Sequence, residues 1–461
     1  MNLLLSMTTK TYSVFQGIFF RRPLKTLILL PLFLMGEWNY AFPQIEYIKE
    51  VYPEKTEFSI VRVIDSTQRL VCNVYADNSS FMLYSDLSSV GLKLCLPTGF
   101  RVSDFIIRDD TVYFCGKRTI APTYEDKAIM GYFGLAGFPS TTVYYYNYSA
   151  GDYVLFNKIE SYKVYYESRS EFHIVMTAKT STDKWTMIDS HRIIFDDWVF
   201  YSLQLSPDSL MGHTLGDIAV TDNYVLATSS GTVFDIGSYL WYFNKPTVLQ
   251  SHIFSVEVRR CKYPGQFVTR ANLKRCENNR FVTACRDKKK IYIDEFDGAT
   301  HNYRLSTTYF VGTFPREIKY NYDKNEIDIL LYFYMTMEDP MAASYILHIP
   351  HTMFSTGGMA NVHEYNNHNI TSFDYIGYMT DCFVASGHNF PNVSDTLKLY
   401  KYKYNYWKNC PTSTSLPLVS ESPKFRMFNQ DFYSYYRYFW REELPVTTGE
   451  TNIITTCETT E

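Results

Sequence analysis

Phe105-Ile106-Ile107, Asp109-Asp110 and Val112-Tyr113-Phe114-Cys115-Gly116 form two short apolar runs on either side of an acidic turn. Apolar and aromatic residues favour pleated, half-buried surfaces. Asp bonds its own backbone in tight turns. The stretch therefore reads as a β-hairpin. Asp217-Ile218-Ala219-Val220, Thr221-Asp222-Asn223 and Tyr224-Val225-Leu226-Ala227 repeat the shape. Looser copies lie at 276–284 and 375–384, and related apolar runs at Arg69–Cys72, His173–Met176 and Ile327–Leu331.

The centres of these runs fall near 70, 113, 174, 225, 282, 329 and 383, spaced by 43 to 61 residues. Most are followed by a second strand-like run, such as Ile129–Phe133, Ser238–Phe243, Ile291–Ile293, Tyr345–Ile349 and Leu397–Tyr400. A period of roughly 40–50 residues with about four strands per unit is the arithmetic of a β-propeller, in which a ring of sheets buries faces that one sheet cannot. The fold expected is all-β, a single propeller over residues 42–446, with seven blades and six as the nearest alternative. Pairing of the chain ends should close the ring, since an open ring leaves unpaired sheet edges. Phe425–Trp440 is expected to supply the closing strand beside the first blade. Residues 447–461, a polar Thr-rich tail, are expected to fray.

Composition agrees. The chain has 461 residues, 46% hydrophobic and 20% charged, with 41 Tyr and 33 Phe. That is too apolar for intrinsic disorder and too evenly polar for a polytopic membrane protein. Arg21, Arg22 and Lys25 precede the apolar run Leu27–Met35, the pattern of a secretory signal peptide over residues 1–41, with cleavage after Ala41. No Cys follows that run until Cys72, which argues against a lipoprotein. Without residues 1–41 the chain carries 40 basic and 47 acidic groups. A net acidic chain lacks the attraction that drives nucleic-acid binding. The one basic cluster, Arg286–Lys290, reads as a hairpin tip between two strands.

Nine cysteines permit disulfides after export but cannot all pair with one another. No C-x-x-C occurs; Cys261–Cys276 and Cys382–Cys410 are possible staples, and buried thiols are the alternative. Motifs for nucleophilic catalysis and for phosphate binding are absent. His363, Glu364 and His368 have a donor set suited to zinc but lie in an Asn-rich stretch that reads as a polar loop; His348 and His351 around Pro350 read likewise. No catalytic, cofactor-binding or metal-ligating residue is therefore assigned, and no cofactor is expected. Asp104, Asp217 and Asp374 stand at the heads of repeat units, and Asp109, Asp110, Asp222 and Asp381 in their turns; turn chemistry explains them more simply than catalysis. Runs such as Tyr144–Tyr148, Tyr400–Trp407 and Phe432–Trp440 read as strand packing, with Lys401 and Lys403 guarding an outer edge, or as a ring-lined binding surface.

The units at 104–116 and 217–229, behind the signal-like start, resemble exported β-propeller-type proteins of unknown function in Bacteroidetes. The resemblance implies a secreted or envelope location and carries no catalytic residue across. The function expected is that of an exported, monomeric binding or scaffold protein, periplasmic, cell-surface or extracellular and at most peripheral to a membrane. It would recognise a glycan or an envelope protein. The alternative is a secreted carbohydrate-active enzyme with Asp104, Asp217 and Asp374 in an axial funnel.

Overall fold

The structure, a computed structural model, describes residues 47–50 and 58–443. Excepted are 86–90, 148–151, 193–197, 206–213, 231–237, 250–253, 263–271, 287–289, 308–312, 334–342, 376–381, 390–397, 404–413, 422–426 and 440–441, and single residues 66, 184, 299, 323, 367 and 431. The expected signal segment and Thr-rich tail lie outside the described residues, as do Asp381 and Cys410.

After β1 (Tyr47–Glu50) the chain runs as four-strand antiparallel meanders. The first is β2 (Phe58–Val63), β3 (Gln68–Val74), β4 (Ser79–Ser85) and β5 (Leu92–Cys95). The next is β6 (Phe100–Arg108), β7 (Thr111–Ile120), β8 (Glu125–Gly134) and β9 (Tyr144–Asn147). Then come β10 (Tyr153–Tyr166), β11 (Arg169–Thr180), β12 (Trp185–Arg192) and β13 (Trp198–Leu205). They are followed by β14 (Thr214–Val220), β15 (Tyr224–Ser230), β16 (Ser238–Asn244) and β17 (Phe254–Lys262). After these stand β18 (Asn272–Arg275), β19 (Arg280–Arg286), β20 (Ile291–Asp297) and β21 (Thr300–Thr307). Next are β22 (Thr313–Asn321), β23 (Glu326–Phe333), β24 (Ala343–Pro350) and β25 (Gly358–Asn366). A single helical turn, Met353–Thr356, lies between β24 and β25. The last inner strands are β26 (His368–Tyr375), β27 (Cys382–Asn389) and β28 (Lys398–Lys403).

This is a single all-β propeller, and β1 closes it: Tyr47↔Lys401 through Glu50↔Lys398 add the N-terminal strand to the outer edge of β28. Lys401 therefore sits in a paired stretch and not on the free edge expected of it, while the pairing with β1 stops short of Lys403. Beyond β28 the chain turns back around the outside. β29 (Thr414–Glu421) pairs with both β21 and β25, β30 (Met427–Gln430) with β17, β31 (Phe432–Phe439) with β13, and β32 (Glu442–Glu443) with β9. The Phe425–Trp440 segment thus lies against the outer strands of the third and fourth meanders, not beside the first.

Counted as hydrogen-bonded sheets, the ring has six blades and not the seven expected. The cause is β29: its two edges join the meanders β18–β21 and β22–β25 into one nine-stranded sheet.

All seven apolar centres are second strands of meanders: β3, β7, β11, β15, β19, β23 and β27. Side chains alternate between faces of a strand, and here both faces are covered. Phe105 packs towards the first meander and Ile106 towards the third; Val225 and Leu226, and Phe281 and Val282, divide in the same way. A strand buried on both faces reads as a continuous apolar run. Among the described residues, the core is a series of layers between neighbouring meanders. In one of them Phe81 meets Phe105 and Phe133 edge to face, with centroids 5.4 and 5.0 Å apart. The Tyr144–Tyr148 run belongs to such packing: Tyr145 and Tyr146 are buried.

The acidic turn Asp109-Asp110 has φ of 48° and 57°, the left-handed pair that a two-residue hairpin demands. The basic cluster also falls at a hairpin, Arg286 pairing with Ile291. Cys276 is a buried thiol outside any disulfide, so the Cys261–Cys276 staple does not form; Cys72, Cys115 and Cys285 are likewise outside disulfides, and Cys95 is disulfide-bonded.

Candidate functional site

The innermost strand of each meander is an edge strand, with backbone donors turned towards the axis. Unpaired donors are costly, so the sequence must satisfy them. Carboxylates of neighbouring units do so. Leu273 N–H donates to Asp217 Oδ2 at 3.0 Å, Phe373 N–H to Glu317 Oε2 at 3.1 Å, and Val63 N–H to Asp374 Oδ2 at 2.9 Å. In each case the acid belongs to one unit and the donor to the next around the ring.

β-Bulges aim these side chains. The β6–β7, β10–β11, β14–β15, β22–β23 and β26–β27 ladders each slip, at Val102/Asp104, Phe156/Lys158, Leu215/Ile218, Pro315/Glu317 and Ile370/Ser372. An extra residue bends a strand and redirects the next side chain. Threonines on second strands hold two of the bulges: the N–H groups of Lys158 and Asp217 donate to Thr177 Oγ1 and Thr228 Oγ1.

The result is a cavity of about 660 Å³ lined by nine basic and six acidic side chains. Signs alternate around its wall. Arg62 binds Asp104 at 3.2 Å and Glu317 at 3.1 Å; Lys158 lies between Asp104 and Asp217 at 3.9 and 4.0 Å; Lys319 lies between Glu317 and Asp374 at 3.2 and 3.3 Å. Burial opposes ionisation of Glu317, yet Lys319, Arg62 and Lys158 hold its carboxyl down at about 2. Burial alone would lower the Lys158 ammonium, but Asp104 and Asp217 raise it above the usual lysine value.

Lys274 differs. Among the described residues it has no ion-pair or hydrogen-bond partner, and burial, together with repulsion from Lys319, lowers its pKa. Tyr165 and Tyr322, 70% and 51% exposed, also line the cavity.

The structure brings Asp104, Asp217 and Asp374 into one cavity, although they are neither turn residues nor free acids. Asp217 Oδ1 accepts Ile218 N–H while its Oδ2 holds Leu273; Asp374 Oδ1 accepts Tyr375 N–H; Asp104 Oδ1 accepts Phe105 N–H. Carboxylates engaged in this way knit strands together. Burial, opposed by Lys158, does raise Asp217 above the ordinary aspartate value. Of the turn acids, Asp222 also lines the cavity, where it meets Arg275 at 2.6 Å, whereas Asp109 lies outside the lining and meets Lys163 at 3.0 Å. Arg62, Lys158, Lys274, Glu317 and Lys319 escaped sequence reading. The signal was present as charged residues in strands otherwise apolar.

The histidine pairs fall on different elements of the sixth and seventh meanders. His363 and Glu364 lie on β25 and His368 on β26, strands and not a polar loop. His348 Nδ1 meets Asp328 at 2.6 Å, whereas His351 contacts Glu295 and Arg280.

No family model matches the chain, and no curated protein matches it. Among solved structures it is similar to the Dos1 propeller, with 8% identity and a TM-score of 0.40, covering 72% of this chain and 75% of that one. It is also similar to YCF48 from Cyanidioschyzon merolae, with 9% identity and a TM-score of 0.42, covering 78% and 99%.

Proposed function

We propose that this propeller is a binding module whose axial cavity receives an acidic glycan. One observation carries the reading: on a chain with formal net charge −4, this cavity is lined by an excess of basic groups, and Lys274 within it, though attracted by Glu160 and Asp374, makes no close ion pair among the described residues. A carboxylate on the ligand would supply a direct partner for it. The volume lies within the usual range for small-ligand sites, roughly 300–1,000 Å³. Exposed rings of Tyr165 and Tyr322 offer faces for sugar rings to stack on. The protein acts as a monomer, exported to the envelope or beyond. The basic-then-apolar start and the disulfide at Cys95 support an oxidising destination. Catalysis is not part of the reading, because the acids are already engaged with backbone N–H groups.

The test is calorimetry of residues 42–461 with uronate-containing and neutral oligosaccharides of equal length. Acidic ligands should bind, weaken with salt, and lose at least tenfold in affinity on Lys274→Met. Affinity should also fall as pH rises through the depressed Lys274 pKa, since binding favours the protonated ammonium. Equal binding of neutral sugars, or an unchanged Lys274→Met affinity, would overturn the reading. Hydrolysis of a bound glycan that Asp217→Asn abolishes would instead support the enzyme.

A further inference from the structure

Glu171 and His173 are two residues apart on β11, so both point to one face of the strand. The β11–β12 register sets His173 opposite His191, placing a second imidazole beside the first. Donor atoms of all three side chains lie within 4.8 Å of one another. Glu171 Oε1 is 3.6 Å from His173 Nε2 and 3.2 Å from His191 Nε2. Zinc bonds nitrogen and oxygen at about 2.0–2.1 Å, and tetrahedral donors at that radius stand about 3.3 Å apart. Both histidines are fully or almost fully buried.

The outer contacts favour a cation more strongly than the distances do. Tyr162 O–H donates to Asp189 Oδ2 at 2.8 Å. The Tyr162 oxygen and Asp189 Oδ1 then face His173 Nδ1 at 2.9 and 3.3 Å, and both are acceptors there. His173 Nδ1 therefore carries the proton, and Nε2 of the neutral ring is left with its lone pair. That lone pair is buried and faces a carboxylate oxygen 3.6 Å away, beyond hydrogen-bond reach. A cation between these two groups would bind both. A carboxylate fixing the far nitrogen of a ligating imidazole is the usual second shell of a zinc site.

We infer that Glu171, His173 and His191 bind one divalent transition-metal ion, zinc first among them, with Asp189 and Tyr162 orienting His173. Three protein donors leave a fourth position for water. The ion would clip β11 to β12 on the face packed against the fourth meander; its three ligands are not among the residues lining the axial cavity, although Tyr162 is. The inference does not depend on the glycan reading.

The test is metal content and cobalt spectroscopy of residues 42–461, stripped by chelator and reloaded with zinc or cobalt alone. The expected result is one ion per chain, a thermal midpoint that rises on reloading, and the intense visible bands of four-coordinate cobalt. His173→Gln and His191→Gln should each weaken binding at least 100-fold, and Asp189→Asn about 10–100-fold, while His348→Gln leaves it unchanged. If the histidine variants fail to fold, chelator and zinc titration of the unaltered chain decides alone. No stoichiometric uptake, or uptake that folded His173→Gln and His191→Gln both retain, would overturn the site. Protonation of His173 is the competing source of charge; it predicts no metal and a midpoint indifferent to chelator.

Discussion

The backbone N–H of Val63 donates to Oδ2 of Asp374 across 2.9 Å, joining residues 311 positions apart in the chain. Beside it Thr371 Oγ1 donates to the Ser59 carbonyl at 2.8 Å. These bonds close the ring at its inner wall, as β1 and β28 close it at the rim. A hydrogen bond to a charged group contributes about 1.5–3 kcal/mol. Asp374→Ala also removes a partner of Lys319, so it should cost about 2–3 kcal/mol in urea unfolding. A loss below 0.5 kcal/mol would mean that the inner seam does not bear on stability.

Glu317 sets the acid limit of the fold. Its carboxyl is held at about 2, against an ordinary 4.5. The unfolded chain therefore binds this proton more readily. Glu317 contributes stability that is fully present above pH 4.5 and is lost as pH falls through about 2. The shift corresponds to about 2–3 kcal/mol, allowing for the part of the side chain open to cavity water. Asp217, raised by burial, acts in the opposite sense: its contribution is present below about pH 3.8 and lost as pH rises through its folded value. Glu317→Gln should flatten the stability–pH curve between 4.5 and 2, measured by urea midpoints at successive pH values. A curve of unchanged slope would show that other carboxyls govern acid unfolding.

Gly116 lies where the β6–β7 ladder slips to aim Asp104 into the cavity. A Cβ there would stand 2.0 Å from the Arg101 carbonyl oxygen, and backbone cannot yield as a flexible side chain does. Gly116→Ala should force the two strands apart, costing about 3 kcal/mol or more by overpacking, with loss of ligand affinity in any folded fraction. Gly137→Ala is a contrasting control: its φ of 80° is strained for alanine, but nothing lies within 4 Å of the added carbon. Its loss should be nearer 1 kcal/mol.

The fold was readable because second strands are buried on both faces. Val112–Cys115 and Val225–Ala227 have no polar side to interrupt them, so the repeat survives as apolar runs. The nine-stranded sheet was not readable, because β29 joins two meanders through backbone pairing, which leaves little trace in side-chain type. The cavity was half legible. Asp104, Asp217 and Asp374 drew notice as heads of hairpins, whereas Lys158 and Glu317 depend on bulges one residue long. Glu171 and His173 share a face by simple alternation, but His191 joins them only through strand register. That register depends on the turn between β11 and β12 and cannot be counted along the chain.

Ring closure at the rim rests on four residues. β1 pairs with β28 from Tyr47↔Lys401 to Glu50↔Lys398, and through it the start of the chain holds the last meander against the first. Removing residues 1–51 would leave β28 with a bare edge, a template for pairing with another chain. Removing only residues 1–41 leaves β1 intact. The shorter deletion should unfold at the same midpoint as the full chain and remain monomeric in light scattering. The longer one should melt several degrees lower and form dimers or larger species that increase with protein concentration. If both deletions behave alike, the inner bonds of Val63 and Thr371 close the ring without help, and the β1–β28 pairing is dispensable.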